Sequence, residues 1–244
     1  MKKAFTMLEL VFVIVIIGVL SYFVTASFER SSLREAADQV IGHIRYTQHL
    51  AMSDDKFIPT VSMSKYTNLA RKNKEPQYYY KGRWQLNFFN VAVETPANSF
   101  TAYVVFSDSP NTVAGTANYD GNPNQSGTFN EVARNPQDPT KYLIGANHAS
   151  FTLGDEHISK EMNLNTKYGV QLVSFLGSCN GAHRIAFDYI GRPIGGDLAT
   201  SPAVYEIGRL LTTPCQIVLC ANNPCDDQNI TIAIEPETGY THIQ

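Results

Sequence analysis

The chain has 244 residues, 43% hydrophobic, 17% charged and 11% aromatic, a composition that excludes a disordered or low-complexity polymer. Its length accommodates one large domain or two small ones. A formal charge of -3 excludes a chain-wide basic footprint for nucleic acid.

In chain order, Lys2 and Lys3 precede an uncharged apolar run over residues 10–28, long enough to cross most of a bilayer as a helix. The flanking lysines place the N-terminus in the cytoplasm and the remainder outside. A cleavable secretory signal ending at Val24-Thr25-Ala26 would account for every residue here except Glu9. A carboxylate at the edge of a membrane span is costly and normally has a partner. Polar residues appear beyond Phe28, yet Leu33, Ala36, Ala37, Val40, Ile41, Ile44 and Ala51 recur at three- and four-residue spacing. The spacing predicts one helix continuing to about Ser53, roughly 75 Å long when counted from Phe5. His43 and His49 do not share a helix face and read as solvent or edge residues.

Strand patterns follow over residues 57–63, 84–93, 100–106, 168–176, 184–189, 216–220 and 230–234, with turn signals at Gly191-Arg192-Pro193 and Glu237-Thr238-Gly239. The expected fold class is α+β: a long N-terminal helix, half membrane-spanning and half amphipathic, packed on an antiparallel β-sheet head. Its divisions are 5–28 for the spanning helix, 29–55 for the amphipathic half and 56–244 for the head.

Three features of the head bear on binding. The stretch from Lys65 to Trp84 interleaves tyrosines with Arg71, Lys72, Lys74, Lys81 and Arg83, the combination single-stranded DNA requires, although a solvated loop entering a strand whose tyrosines pack alternately is the favoured reading. Residues 107–140 form a polar, Pro-rich loop in which Asp120, Asn122, Asn124, Ser126, Thr128 and Glu131 keep the spacing of a calcium loop. Gln125 occupies the position where that loop needs glycine, which argues against an EF-hand. Cys179, Cys215, Cys220 and Cys225 are too widely spaced for zinc knuckles and suggest two disulfides. Three pairings are open; we expect Cys220 with Cys225 across Asn222-Asn223-Pro224, and Cys179 with Cys215.

No nucleophile elbow, phosphate loop, dinucleotide fingerprint or zinc-protease motif occurs, so a non-enzyme without a cofactor is expected, calcium being the one ion to consider.

Lys3-Ala4-Phe5-Thr6-Met7-Leu8-Glu9 followed by LVFVIVIIGVL resembles the leader of type IV pilins and pseudopilins. Segments 184–193 (RIAFDYIGRP) and 230–243 (ITIAIEPETGYTHI) resemble the closing strands of GspH/FimT-like minor pseudopilins. The resemblance implies that residues 1–4 are a leader cut by prepilin peptidase between Ala4 and Phe5, and that Phe5 is then N-methylated. It also implies that Glu9 pairs with the terminal amine of a neighbouring subunit during assembly. Ala4 stands where the family usually has glycine. The implied protein is a minor pseudopilin of a type II secretion pseudopilus, single-pass in a bacterial inner membrane with its head in the periplasm. Its partners would be other pilin or pseudopilin subunits. The alternative is a minor pilin of a type IV or competence pilus that binds DNA.

Overall fold

The computed structural model describes residues 7–57, 77–91, 100–110, 119–126 and 129–244, with the backbone alone at 22–31, 125–126 and 129. Helix α1, Met7–Ser53, is a single unbroken α-helix of 47 residues, about 70 Å long at 1.5 Å per residue. Its C-terminal half buries the whole stripe read from the sequence: Leu33, Ala36, Ala37, Val40, Ile41, Ile44 and Ala51. Thr47 falls on the same stripe and is fully buried; its hydroxyl returns to the His43 carbonyl at 2.7 Å, which satisfies it without leaving the helix.

The head is built from antiparallel strands, and in this the α+β expectation holds. Strands β1 (Trp84–Phe89), β2 (Ala102–Ser107), β6 (Arg184–Phe187) and β7 (Pro193–Gly195) form one four-stranded sheet in the order β2-β1-β6-β7. Strands β5 (Leu172–Gly177), β8 (Cys215–Cys220), β9 (Asn229–Ile234) and β10 (Thr241–Ile243) form a second, ordered β10-β9-β8-β5. Between them in sequence lie a minimal hairpin, β3 (Gln125–Ser126) with β4 (Phe129–Asn130), and a short helix α2 (Leu164–Tyr168). Asn163 caps α2 by accepting from the Thr166 amide.

The sequence led us to expect a single sheet, and two four-stranded sheets are found among the described residues. The cause is the β5–β6 connection: Gly177 and Gly181 both adopt positive φ, and the chain leaves the β5–β8 pair to place β6 against β1 instead. Helix α1 lies across both sheets. Its stripe shares one core with Leu86, Phe88, Ile185 and Phe187 from the first and Ile217, Leu219, Ile232 and Ile234 from the second.

Residues 107–140 also depart from the expected inserted loop. Ser107 closes β2, and the returning chain is strapped to β2's outer edge, where the Ala133 amide donates to the Val105 carbonyl at 2.9 Å and the Val105 amide to the Leu143 carbonyl at 3.0 Å. Val132, Ile144 and Phe151 bury a second, smaller core there with Val104 and Phe106, while Leu143 joins the main core. Those apolar residues are spaced irregularly, so the strap has bridges but almost no regular strand.

The remaining strand expectations coincide with elements to within a few residues, except that the 57–63 strand falls almost wholly outside the described residues and Tyr168 ends α2 rather than opening β5. Both disulfides pair as expected. Cys179–Cys215 is buried, with Cα atoms 5.0 Å apart, and joins the β5–β6 connection to β8. Cys220–Cys225 closes the β8–β9 turn with Cα atoms 5.3 Å apart.

Candidate functional site

The feature with most to contribute to an assembly is the first half of α1. Leu8, Leu10, Val11, Phe12, Val13, Ile14, Val15, Ile16, Ile17, Val19 and Leu20 are all exposed, on every face of the helix. A helix that is apolar all round is stable only when lipid or other protein surrounds it. Glu9 lies in its first turn, where a carboxylate is favoured by the amide-rich helix start. Among the described residues no helix is long and apolar enough to cross a membrane. Ala4 and Phe5 lie outside the described residues.

The head grips the second half of α1 with polar contacts as well as with the core. Gln48 Nε2 donates to the Gly191 carbonyl in the β6–β7 turn and to the Thr238 carbonyl in the β9–β10 turn, both at 2.8 Å. A Cβ at Gly191, whose φ is +87°, would come within 2.9 Å of Gln48 Nε2, so the turn needs glycine both for its backbone and for this approach. Arg45 donates to the Thr241 carbonyl at 2.7 Å, and Ser32 Oγ to the Tyr168 carbonyl at 2.7 Å.

His43 is partly buried at the edge of the stripe, and its ring is engaged there. Its Nδ1 shares a 2.8 Å hydrogen bond with the hydroxyl of Tyr103, which is fully buried in β2. Burial lowers the His43 pKa to about 4 against the opposing charge of Glu161, and burial raises that of Tyr103. His49 is exposed, as expected.

Of the calcium-spaced residues, Asp120, Asn122, Asn124 and Glu131 are used within the fold; Thr128 and the side chain of Ser126 lie outside the described residues. Asp120 accepts from the Asn122 amide and from Asn124 Nδ2, holding a local turn. Both Glu131 carboxylate oxygens are occupied, one by the Ser109 amide and hydroxyl and the other by the Asn124 amide. Burial nonetheless raises the Glu131 pKa. Asp108, a residue the sequence did not single out, sits beneath this loop. Its Oδ2 accepts from the Gly121 amide at 2.7 Å, while Oδ1 is buried with no hydrogen-bond partner among the described residues. Burial and the neighbouring Glu131 push its pKa up to about 8, so it is largely protonated at neutral pH. Arg184 reaches the same loop from β6, donating to the Gly121 carbonyl and pairing with Asp197 at 3.1 Å. Among the described residues no three His, Cys, Asp or Glu side chains converge as a metal site.

Of the basic candidates, Arg71, Lys72 and Lys74 lie outside the described residues. Lys81 donates to the Ala199 carbonyl at 2.7 Å and lies 5.0 Å from the Tyr78 ring. Arg83 is buried; it donates to the Val204 carbonyl at 2.9 Å and stacks on Tyr205 at 4.9 Å. Arg192 lies 4.8 Å from the same ring and is paired at 2.8 Å with the fully buried Asp188. These cations hold the loop after β7 against β1 and β6.

No family model, curated protein or solved structure matches this chain. The functional reading therefore rests on the residues and their arrangement.

Proposed function

We propose that this chain is a minor pseudopilin, a non-enzymatic subunit cut by prepilin peptidase between Ala4 and Phe5 and assembled into a periplasmic pseudopilus that drives type II secretion. One observation supports the reading above the others: α1 runs unbroken from an all-round apolar half, with Glu9 in its first turn, into a half whose single stripe is buried by the head. A cleavable signal has no use for that continuity, because cleavage after Ala26 would sever the apolar half from the helix the head is built on. In the proposed subunit residues 5–28 cross the inner membrane with the head on the periplasmic side, and Glu9 pairs with the amine of a neighbouring subunit. The DNA-binding alternative gains no observation from Lys81 and Arg83, whose charged ends are engaged within the head.

The mass of the mature N-terminus tests the proposal. A chain beginning at N-methylated Phe5 is expected, and one beginning at Ser27 overturns it. Glu9→Ala should be processed normally and keep the wild-type melting of the head, while its recovery in sheared filaments falls at least tenfold. Undiminished incorporation would remove the role given to Glu9.

A further inference from the structure

Two four-stranded sheets present four edges, and an unpaired edge is a template for another strand unless something blocks it. The β2 edge is closed by the 131–145 strap and by the Leu164 amide, which donates to the Thr101 carbonyl at 2.8 Å. Strand β7 is three residues long, starts with Pro193 and is bridged to Leu210 through Ile194. Strand β10 is also three residues long and carries His242, and its Thr241 carbonyl is occupied by Arg45 at 2.7 Å.

Strand β5 differs on every count. It is six residues long, reads Leu-Val-Ser-Phe-Leu-Gly, and has neither a charge nor a proline. It pairs in unbroken register with β8, and among the described residues no strand or bridge lies on its other side. It is also held rigid. Phe175 packs on Phe88 at 5.3 Å between ring centres, and the buried Cys179–Cys215 disulfide follows two residues after the strand. Leu176 remains 46% exposed.

We propose that β5 is an interaction edge, and that its occupant is β5 of a second copy of this chain, paired antiparallel about a two-fold axis. The choice of occupant follows from the edges. With β2 strapped, β7 short and proline-bearing, and β10 short with its Thr241 carbonyl taken by Arg45, β5 is the edge a second copy has to offer. A strand without charge pairs with itself without setting like charges opposite each other. Symmetric contacts of this kind close on themselves and do not propagate. Opposite residues in antiparallel strands share a face, so the two-fold axis passes through a residue pair. Centring it on Ser174 overlaps residues 172–176 and lays Leu172 of one copy over Leu176 of the other, covering the exposed leucine. Val173 then meets Phe175 on the inner face, and two four-stranded sheets become one of eight.

The pairing sets Ser174 opposite its own counterpart, which gives a specific test on full-length protein in detergent micelles. Ser174→Cys should form a covalent dimer under mild oxidation at least tenfold faster than His242→Cys, placed on the opposite edge of the same sheet. Ser174→Lys and Ser174→Glu should each be monomeric when separate and form a one-to-one heterodimer when mixed, with melting of each checked to show that the head is folded. Equal cross-linking at 174 and 242 would mean that the copies meet elsewhere, and no cross-linking at 174 would mean that they do not meet there. Cross-linking of Ser174→Cys to a different protein would assign the edge to that protein. Any of these results overturns the proposal.

Discussion

The two halves of α1 belong to one continuous helix, yet they depend on their surroundings in opposite ways. From Met7 to Leu20 almost every side chain is apolar and exposed, and the protein by itself supplies nothing to bury them. From Leu33 to Ala51 only a stripe is apolar, and the head buries all of it. Backbone hydrogen bonding is the same in both halves, so the difference is entirely one of side chains. Substitutions in the second half should therefore register in the stability of the isolated molecule, whereas those in the first should register only when a bilayer or a filament is present.

The largest expected effect comes from Ile44, which is fully buried in the core. Ile44→Ala should cost about 3 to 4 kcal/mol of head stability in denaturant unfolding, the usual penalty for truncating a well-packed aliphatic side chain. A cost under about 1 kcal/mol would mean that α1 is not clamped as described.

Next in size is the contribution of His43. Its pKa is about 4 in the fold and about 6.5 when unfolded, so between those values the unfolded chain binds more protons. Its stabilisation is therefore complete above pH 6.5 and is lost as pH falls toward 4, on the order of 3 kcal/mol in all. Asp108, with its pKa raised to about 8, acts in the opposite sense, losing its contribution as pH rises from about 4 to 8. Comparing His43→Gln with the parent from pH 7 to 4 isolates the histidine, and the parent should lose stability faster as pH falls. Parallel curves would rule out the assigned burial.

Gln48→Ala removes two hydrogen bonds and should cost about 1 to 2 kcal/mol, with the largest gain in amide exchange in the turns containing Gly191 and Thr238. Exchange confined to one turn would show that the other contact is dispensable. The smallest effect belongs to Ile14→Ala, which should leave the melting of the head unchanged because the side chain touches none of it.

The helix was readable because its pattern is local: seven stripe residues at helical spacing needed no knowledge of the rest. Strand positions were similarly legible, and so were the disulfides, since Cys220 and Cys225 flank a short turn. What escaped depended on residues far apart in sequence. His43 read as a solvent or edge residue, and its hydrogen bond was hidden because its partner, Tyr103, is 60 residues away. The two-sheet arrangement depends on β6 choosing β1 over its sequence neighbour β5, a choice no local pattern records. Asp108 is an ordinary loop aspartate until the Gly121 turn folds over it, and the strap against β2 lacks the alternation by which strands are recognised. The open edge of β5 lay within a predicted strand, but its openness became visible only once the sheet order showed which strands had neighbours.

Gln48 has a mechanical consequence. One amide nitrogen divides its two hydrogens between a turn of the first sheet and a turn of the second. A pull along the axis of α1 therefore reaches both sheets at the same point on the helix, and they resist it side by side. Sliding the helix out of the head requires the core stripe and both carbonyl contacts to yield together in shear, so the load is shared and is not passed through one hairpin at a time.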